Sequence, residues 1–241
     1  MPLNISVTQF PGGVGNQKDN SVLNSLPVPG PNVALSVDDF GQTTLVDTLW
    51  SATAIGAGAA GSNPLSSSGI LRQTSGGAAT DGNKYAATAG AAQVDTFGFA
   101  LGAEVWFGIR INVDDVLNTI LGFGFIPDAA TVAPADGVFL RCADVTRDLE
   151  IVSRNTGVEV ATVIGQLQDS VNYDIAFYWD GIDKVSAQFV GPDGVIGGGG
   201  TVIPGALLPA VGLLPYFLFS RGAAAAVTVM DVDYVLFGGS R

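Results

Sequence analysis

Between residues 104 and 113 every second side chain is large and apolar: Val105, Phe107, Ile109, Ile111 and Val113 alternate with Glu104, Trp106, Gly108, Arg110 and Asn112. Successive side chains of a strand point to opposite faces, so this period of two predicts a half-buried β-strand. The pattern returns at residues 173–179, where Tyr173, Ile175, Phe177 and Trp179 share one face, and again at 184–189. The Asp180-Gly181 step between those two runs is a hairpin signal. Residues 137–142, 148–154 and 158–164 add strands, the last two joined through Asn155-Thr156-Gly157. Weaker patterns predict strands at 44–50, 69–73 and 84–88, with small-residue surface loops at 57–64 and 75–79. In the closing run, 223–237, strict alternation puts Thr228, Met230, Val232, Tyr234 and Leu236 on one face. Asp231, Asp233, Val235 and Phe237 then occupy the other. Residues 113–121 hold at most one short helical turn. The 33 Gly and 12 Pro argue against long helices, since both penalise helix interiors. The expected fold is all-β, an antiparallel two-sheet sandwich.

The first 38 residues are of another kind. Pro11-Gly12-Gly13 and Pro27-Val28-Pro29-Gly30-Pro31 keep the backbone extended or turning and cannot build a central strand. Residues 1–38 therefore read as an extended N-terminal arm and 39–241 as the sandwich domain. The one strand-like piece of the arm is 3–8. An extended segment can add to the sheet edge of a partner through main-chain hydrogen bonds. Leu3, Ile5, Val7 and Phe10 are the arm residues expected to meet that partner.

Charge and chemistry exclude several functions. The 241-residue chain carries a formal net charge of −12, with ten bases scattered along it, which is the wrong footprint for nucleic acid. No apolar run is long enough to span a bilayer, and no secretory signal opens the sequence, so a soluble, cytoplasmically made protein is expected. There is no His, which removes His-based acid–base and nucleophilic catalysis. The single Cys142 removes thiolate metal clusters and reads as a buried, inert thiol. Asp231 and Asp233 are the one pair of carboxylates placed on a common strand face. A glycosidase needs two such groups across a cleft, but an edge hydrogen-bonding role or a small cation site uses the same residues. The remaining Asp pairs, near 38–39, 114–115 and 180–183, read first as turn formers, with calcium ligation as the alternative. Trp50 and Trp106 fall on strands, Trp106 on the polar face, where a ring serves as a sugar platform or interface anchor. Core packing is the competing use. No enzyme activity and no cofactor are expected.

Several spaced motifs together resemble a known fold family: Asp39-Phe40 with Leu49-Trp50, Trp106-Phe107-Gly108-Ile109-Arg110, Tyr173-Asp174-Ile175-Ala176-Phe177, and the closing Asp231-Val232-Asp233-Tyr234. They resemble concanavalin/laminin-G-like jelly rolls. The whole mixture, with its His-free composition and Pro/Gly arm, is similar to the capsid decoration (cement) proteins of tailed bacteriophages. That resemblance implies a virion structural protein on the capsid exterior, bound to the major capsid protein as a homotrimer, its arm clamping neighbouring subunits. A lectin-like carbohydrate-binding module on a virion surface or tail is the alternative with the same fold.

Overall fold

A computed structural model describes residues 33–40, 50–56, 61–66, 69–87, 97–127, 134–192, 194, 196–223 and 227–240. The strands run in chain order as β1 (Val33–Asp38), β2 (Trp50–Ile55), β3 (Gly61–Ser66), β4 (Ile70–Thr74) and β5 (Gly82–Ala87). They continue as β6 (Val105–Val113), β7 (Thr119–Ile126), β8 (Gly137–Cys142), β9 (Asp148–Asn155) and β10 (Val158–Gln166). The last five are β11 (Asn172–Trp179), β12 (Lys184–Val190), β13 (Ile196–Val202), β14 (Leu214–Arg221) and β15 (Val229–Ser240). All pairings are antiparallel. An eight-stranded sheet has the order β13-β12-β11-β6-β15-β4-β3, with β1 also paired to β15; a seven-stranded sheet has the order β10-β9-β8-β7-β14-β5-β2. The described helical segments are two single turns, Val116–Asn118 and Gly205–Leu207. The first lies within the stretch where the sequence allowed one.

The core follows from the alternation. Val105, Phe107, Ile109, Ile111 and Val113 all point inward, against Leu121, Phe123 and Phe125 of β7 and Phe217 and Phe219 of β14. Phe125 is the hub of an aromatic lattice, with ring centroids 4.9 Å from Phe97, 5.6 Å from Phe99 and 5.9 Å from both Phe107 and Phe177. Burying each such ring contributes roughly 1.5–3 kcal/mol. β7 and β14 lack alternation because both their faces are covered. Tyr216 and Leu218 form a second buried cluster with Phe139, Val152 and Ile126 on the outer side of the seven-stranded sheet. Gly122 makes room there, since a Cβ would lie 2.7 Å from the Tyr216 hydroxyl. β13, with four consecutive glycines, is held by pairing with β12, and a Cβ at Gly197 would lie 2.3 Å from the Phe189 ring.

Three local expectations change. β1, which the sequence placed in the arm, pairs with β15, so the sandwich extends back at least to Val33. Residues 61–64, the second half of the stretch read as a loop at 57–64, instead begin β3, which pairs with β4. In β15 the register shifts between Val232 and Tyr234. That bulge reverses the predicted alternation: Val235 and Phe237 join Met230 and Val232 in the core, while Tyr234 and Leu236 go to the outer face. The turns behave as their chemistry requires. Asp180 accepts the N–H groups of Ile182, Asp183 and Lys184 at 2.8–3.1 Å. The β9–β10 hairpin turns through Thr156 and Gly157, both at positive φ (51° and 82°).

Two of the three glutamates sit on the outer side of the seven-stranded sheet. Arg141 bonds Glu150 at 2.6 Å and Glu159 at 3.0 Å, and Arg154 also bonds Glu159. Burial alone would raise the Glu159 carboxyl, but hydrogen bonds from the two arginines hold it below its ordinary value of 4.5. A carboxylate lowered on folding stabilises above its unfolded pKa, and that contribution is lost as pH falls through the folded value. Glu159→Gln should therefore cost about 1–2 kcal/mol at neutral pH and flatten the acid limb of stability below about pH 4.5. Urea titrations of both proteins between pH 3 and 7 measure this; parallel acid limbs would contradict it.

Candidate binding site on the eight-stranded sheet

Cross-strand register assembles the polar groups on the outer face of the eight-stranded sheet. Arg110 of β6 stands opposite Asp174 of β11 and Tyr234 of β15. One step along, Asn112 stands opposite Asn172 and Asp231, and Asp231 opposite Arg72 of β4. Because side chains at directly paired positions are neighbours, these become two parallel polar rows. In the first, Arg110 grips Asp174 with two bonds of 2.7 Å, Tyr234 donates to the same carboxylate at 2.8 Å, and the guanidinium lies 5.6 Å over the Tyr234 ring. In the second, Arg72 makes two 2.7 Å bonds to Asp231, and Asn112 donates to Asn172 at 2.9 Å. Asp233, beside the bulge, accepts from Arg110 at 3.3 Å and extends the first row.

The rows floor a groove of about 590 Å³, with Ile70 on one wall and Val190, Gly191 and Pro192 on another. The bonds to Asp174 hold Arg110 further into its charged range, although burial opposes this. Burial, then the Asp174 charge, keeps the Tyr234 phenol protonated well above its usual range. Asp174, Asp231 and Asp233 line the groove with Arg110, while the largely exposed Arg72 holds Asp231 from beside it, so the groove offers an excess of acceptors with amide donors alongside.

The structure brings Asp231 and Asp233 together, but each is engaged by its own arginine. Among the described residues no group of three or more acidic, Cys or His side chains converges as a metal site. Trp106 is 2% exposed and stacks on Tyr178, with centroids 5.6 Å apart. Trp50 is 8% exposed, packs on Phe217 and Phe237, and donates to Asp38 at 2.7 Å. Neither ring presents a face to solvent. Leu3, Ile5, Val7 and Phe10 lie outside the described residues. Cys142 is buried, and desolvation, aided by the Asp148 and Glu150 charges, pushes its thiol up to about 12, too high for a nucleophile at neutral pH. Arg72, Arg110, Asn112, Asn172, Asp174 and Tyr234 were not singled out from sequence. Their signal was polar residues on the solvent faces of strands whose pairing no local pattern reveals.

No family model and no curated protein matches the sequence. Solved structures do. Lectin II from Ulex europaeus aligns over 86% of this chain and 99% of its own, with a TM-score of 0.61 and 10% identity. The fold is a lectin-type, concanavalin-like jelly roll. Arcelin-5, a lectin-like defense protein from Phaseolus vulgaris, aligns over 87% of this chain and 99% of its own (TM-score 0.60, 9% identity). A protein of unknown function from Shewanella oneidensis MR-1 aligns over 90% of this chain and 91% of its own (TM-score 0.59, 11% identity). At such identities the likeness is one of fold alone.

The Arg110–Asp174–Tyr234 cluster should behave as a unit. Asp174→Ala removes two of the bonds to Arg110 and the acceptor of a buried phenol, and should cost about 2 kcal/mol. Adding Arg110→Met should recover part of that loss, giving a coupling above about 0.5 kcal/mol in a double-mutant cycle. Additive losses would contradict the cluster.

Proposed function

We propose that this chain is a non-catalytic binding protein whose outer groove takes a neutral glycan. The observation that carries this reading is the pair of polar rows: rigid carboxylates to accept hydroxyl protons, interleaved with amide and guanidinium donors, on a floor of β-strand. Buried or half-buried polar groups already fixed by their neighbours lose little freedom when a ligand arrives. An anionic ligand is disfavoured by the excess of carboxylates. Recognition here relies on hydrogen bonding, since no tryptophan face is open. The fold supports the reading, as lectins of this architecture occur in complex with galactose and with a methyl glycoside of α-L-fucose. The absence of His and the arginine pairing of Asp231 and Asp233 support binding over hydrolysis. A glycan array, run with and without calcium and followed by calorimetry on the best ligand, tests it. Asn112→Ala with Asn172→Ala should weaken binding about tenfold or more, roughly 1.4 kcal/mol. Unchanged affinity, or no glycan bound by folded protein, would overturn the proposal.

A second reading is a virion structural protein, bound as a trimer on the outside of a phage capsid and clamping neighbouring subunits. It is favoured by the sequence ahead of β1, where Leu3, Ile5, Val7 and Phe10 stand in a Pro/Gly-rich segment before the first strand of the sandwich. Deleting residues 1–30 should then abolish particle binding while the far-ultraviolet circular dichroism of the sandwich persists. Particle binding that survives the deletion would sink the clamp.

A further inference from the structure

The groove is longer than it is wide, and the order of the strands sets both dimensions. Its lining comes from five adjacent strands: Ile70 opens β4, Asp231 and Asp233 stand on β15, Arg110 on β6, Asp174 on β11, and Val190 closes β12. Neighbouring strands lie about 4.8 Å apart, so these five span roughly 19 Å across the sheet. Along the strands the floor is only two polar rows deep. Arg110 and Asn112 mark those rows, and two residues of strand cover about 7 Å. The long axis therefore runs across the strands, with Ile70 at one end and Pro192, just past β12, at the other. Both end walls are apolar, whereas the floor between them is polar.

The hydrogen-bonding capacity left on that floor is also spread out. Asp174 already takes three bonds from Arg110 and Tyr234, and Asp231 takes two from Arg72. Asp233 accepts a single bond, from Arg110 at 3.3 Å, and its side chain is 32% exposed. It is therefore the carboxylate of the groove with the most acceptor capacity to spare. Asn112 donates to the Asn172 carbonyl, which leaves the Asn172 amide nitrogen as the donor still unengaged among the described residues. β6 separates the strands of Asp233 and Asn172, so the spare acceptor and the spare donor lie about 10 Å apart. A single sugar ring does not bridge that distance, and two linked rings do.

We propose that the groove takes a linear run of about four neutral sugars laid across the strands, with Asp233 as the acceptor and Asn172 as the donor that select its hydroxyl pattern. The inference rests on the glycan reading above and gives that ligand its length and direction. An extended chain of linked pyranoses advances by about one strand spacing per residue, so about four residues fill the distance between the end walls. The C–H faces of the terminal rings then pack on Ile70 and Pro192, while hydroxyls of the inner rings meet the polar rows. Each residue added within the walls brings its own contacts, so affinity grows with length until the walls are reached and then levels off.

Calorimetry on the full chain with neutral gluco-, galacto- and manno-oligosaccharides of one to six residues tests it. In the series that binds, affinity should rise about a hundredfold from one residue to four and change less than about threefold from four to six. Asp233→Asn should weaken binding of the four-residue chain about tenfold. Ile70→Ala combined with Pro192→Ala should shrink the gain between two residues and four, with thermal melts confirming that the variants are folded. A monosaccharide that binds as tightly as the four-residue chain would overturn this inference and leave the glycan reading standing. The same holds for affinity that climbs evenly through six residues, or for a length profile unmoved by the double substitution. Failure of every series to bind folded protein would overturn both.

Discussion

One extra residue in β15 organises both faces of the eight-stranded sheet. β15 runs along β6 for nearly its full length, while its other flank is shared between β4 at the start and β1 at the end. Without the shift between Val232 and Tyr234, the inward parity of Met230 and Val232 would continue to Tyr234 and Leu236. Val235 and Phe237 would then face outward, and the aromatic contacts of Phe237 with Trp50 and Phe97 would be lost. With the shift, the core closes and Tyr234 comes to lie beneath Arg110. Asp231 and Asp233 both reach the outer rows. Bulges commonly re-aim side chains where a sheet serves a ligand, and they do so by local twist at small cost to the ladder.

How much of this was legible in the sequence follows from burial. Strands whose outer faces carry polar side chains, such as β6, β9, β11 and β12, write their period into the chain, and their positions could be read closely. β7 and β14 are covered on both faces, so they appear as unbroken apolar runs interrupted by Gly or Pro. β13 hides its strand in glycines because neighbouring atoms occupy the space their side chains would need: the Phe189 ring at Gly197, the Ala187 carbonyl at Gly198 and the Lys184 side chain at Gly200. β1 lay within a segment whose Pro/Gly content pointed to an arm. The site was half legible. Asp231 and Asp233 stood out as a carboxylate pair, but Arg110 and Asp174 are 64 positions apart and meet only through the β6–β11 register. The two tryptophans marked as platforms carried no local sign of their burial.

The outer face of this sheet has two halves that the same strands build side by side. The polar half is held rigid by its own ion pairs; the apolar half, around Trp106, is shielded and leaves one indole donor unmet. Under the proposed function, fixed acceptors and donors provide selectivity for a ligand. The seven-stranded sheet, with its buried outer cluster and saturated Arg141–Glu159–Arg154 network, serves as scaffold.

The central claim is that ligand contact is confined to the outer face of the eight-stranded sheet, at the bulge. Amide hydrogen exchange of the full chain, with and without a bound glycan, addresses it most directly. The account predicts added protection in the second half of β6, the first half of β11 and β15 around residues 231–234, with β7, β8, β9 and β14 unchanged. Protection centred on the seven-stranded sheet or on loops at the ends of the sandwich would contradict it.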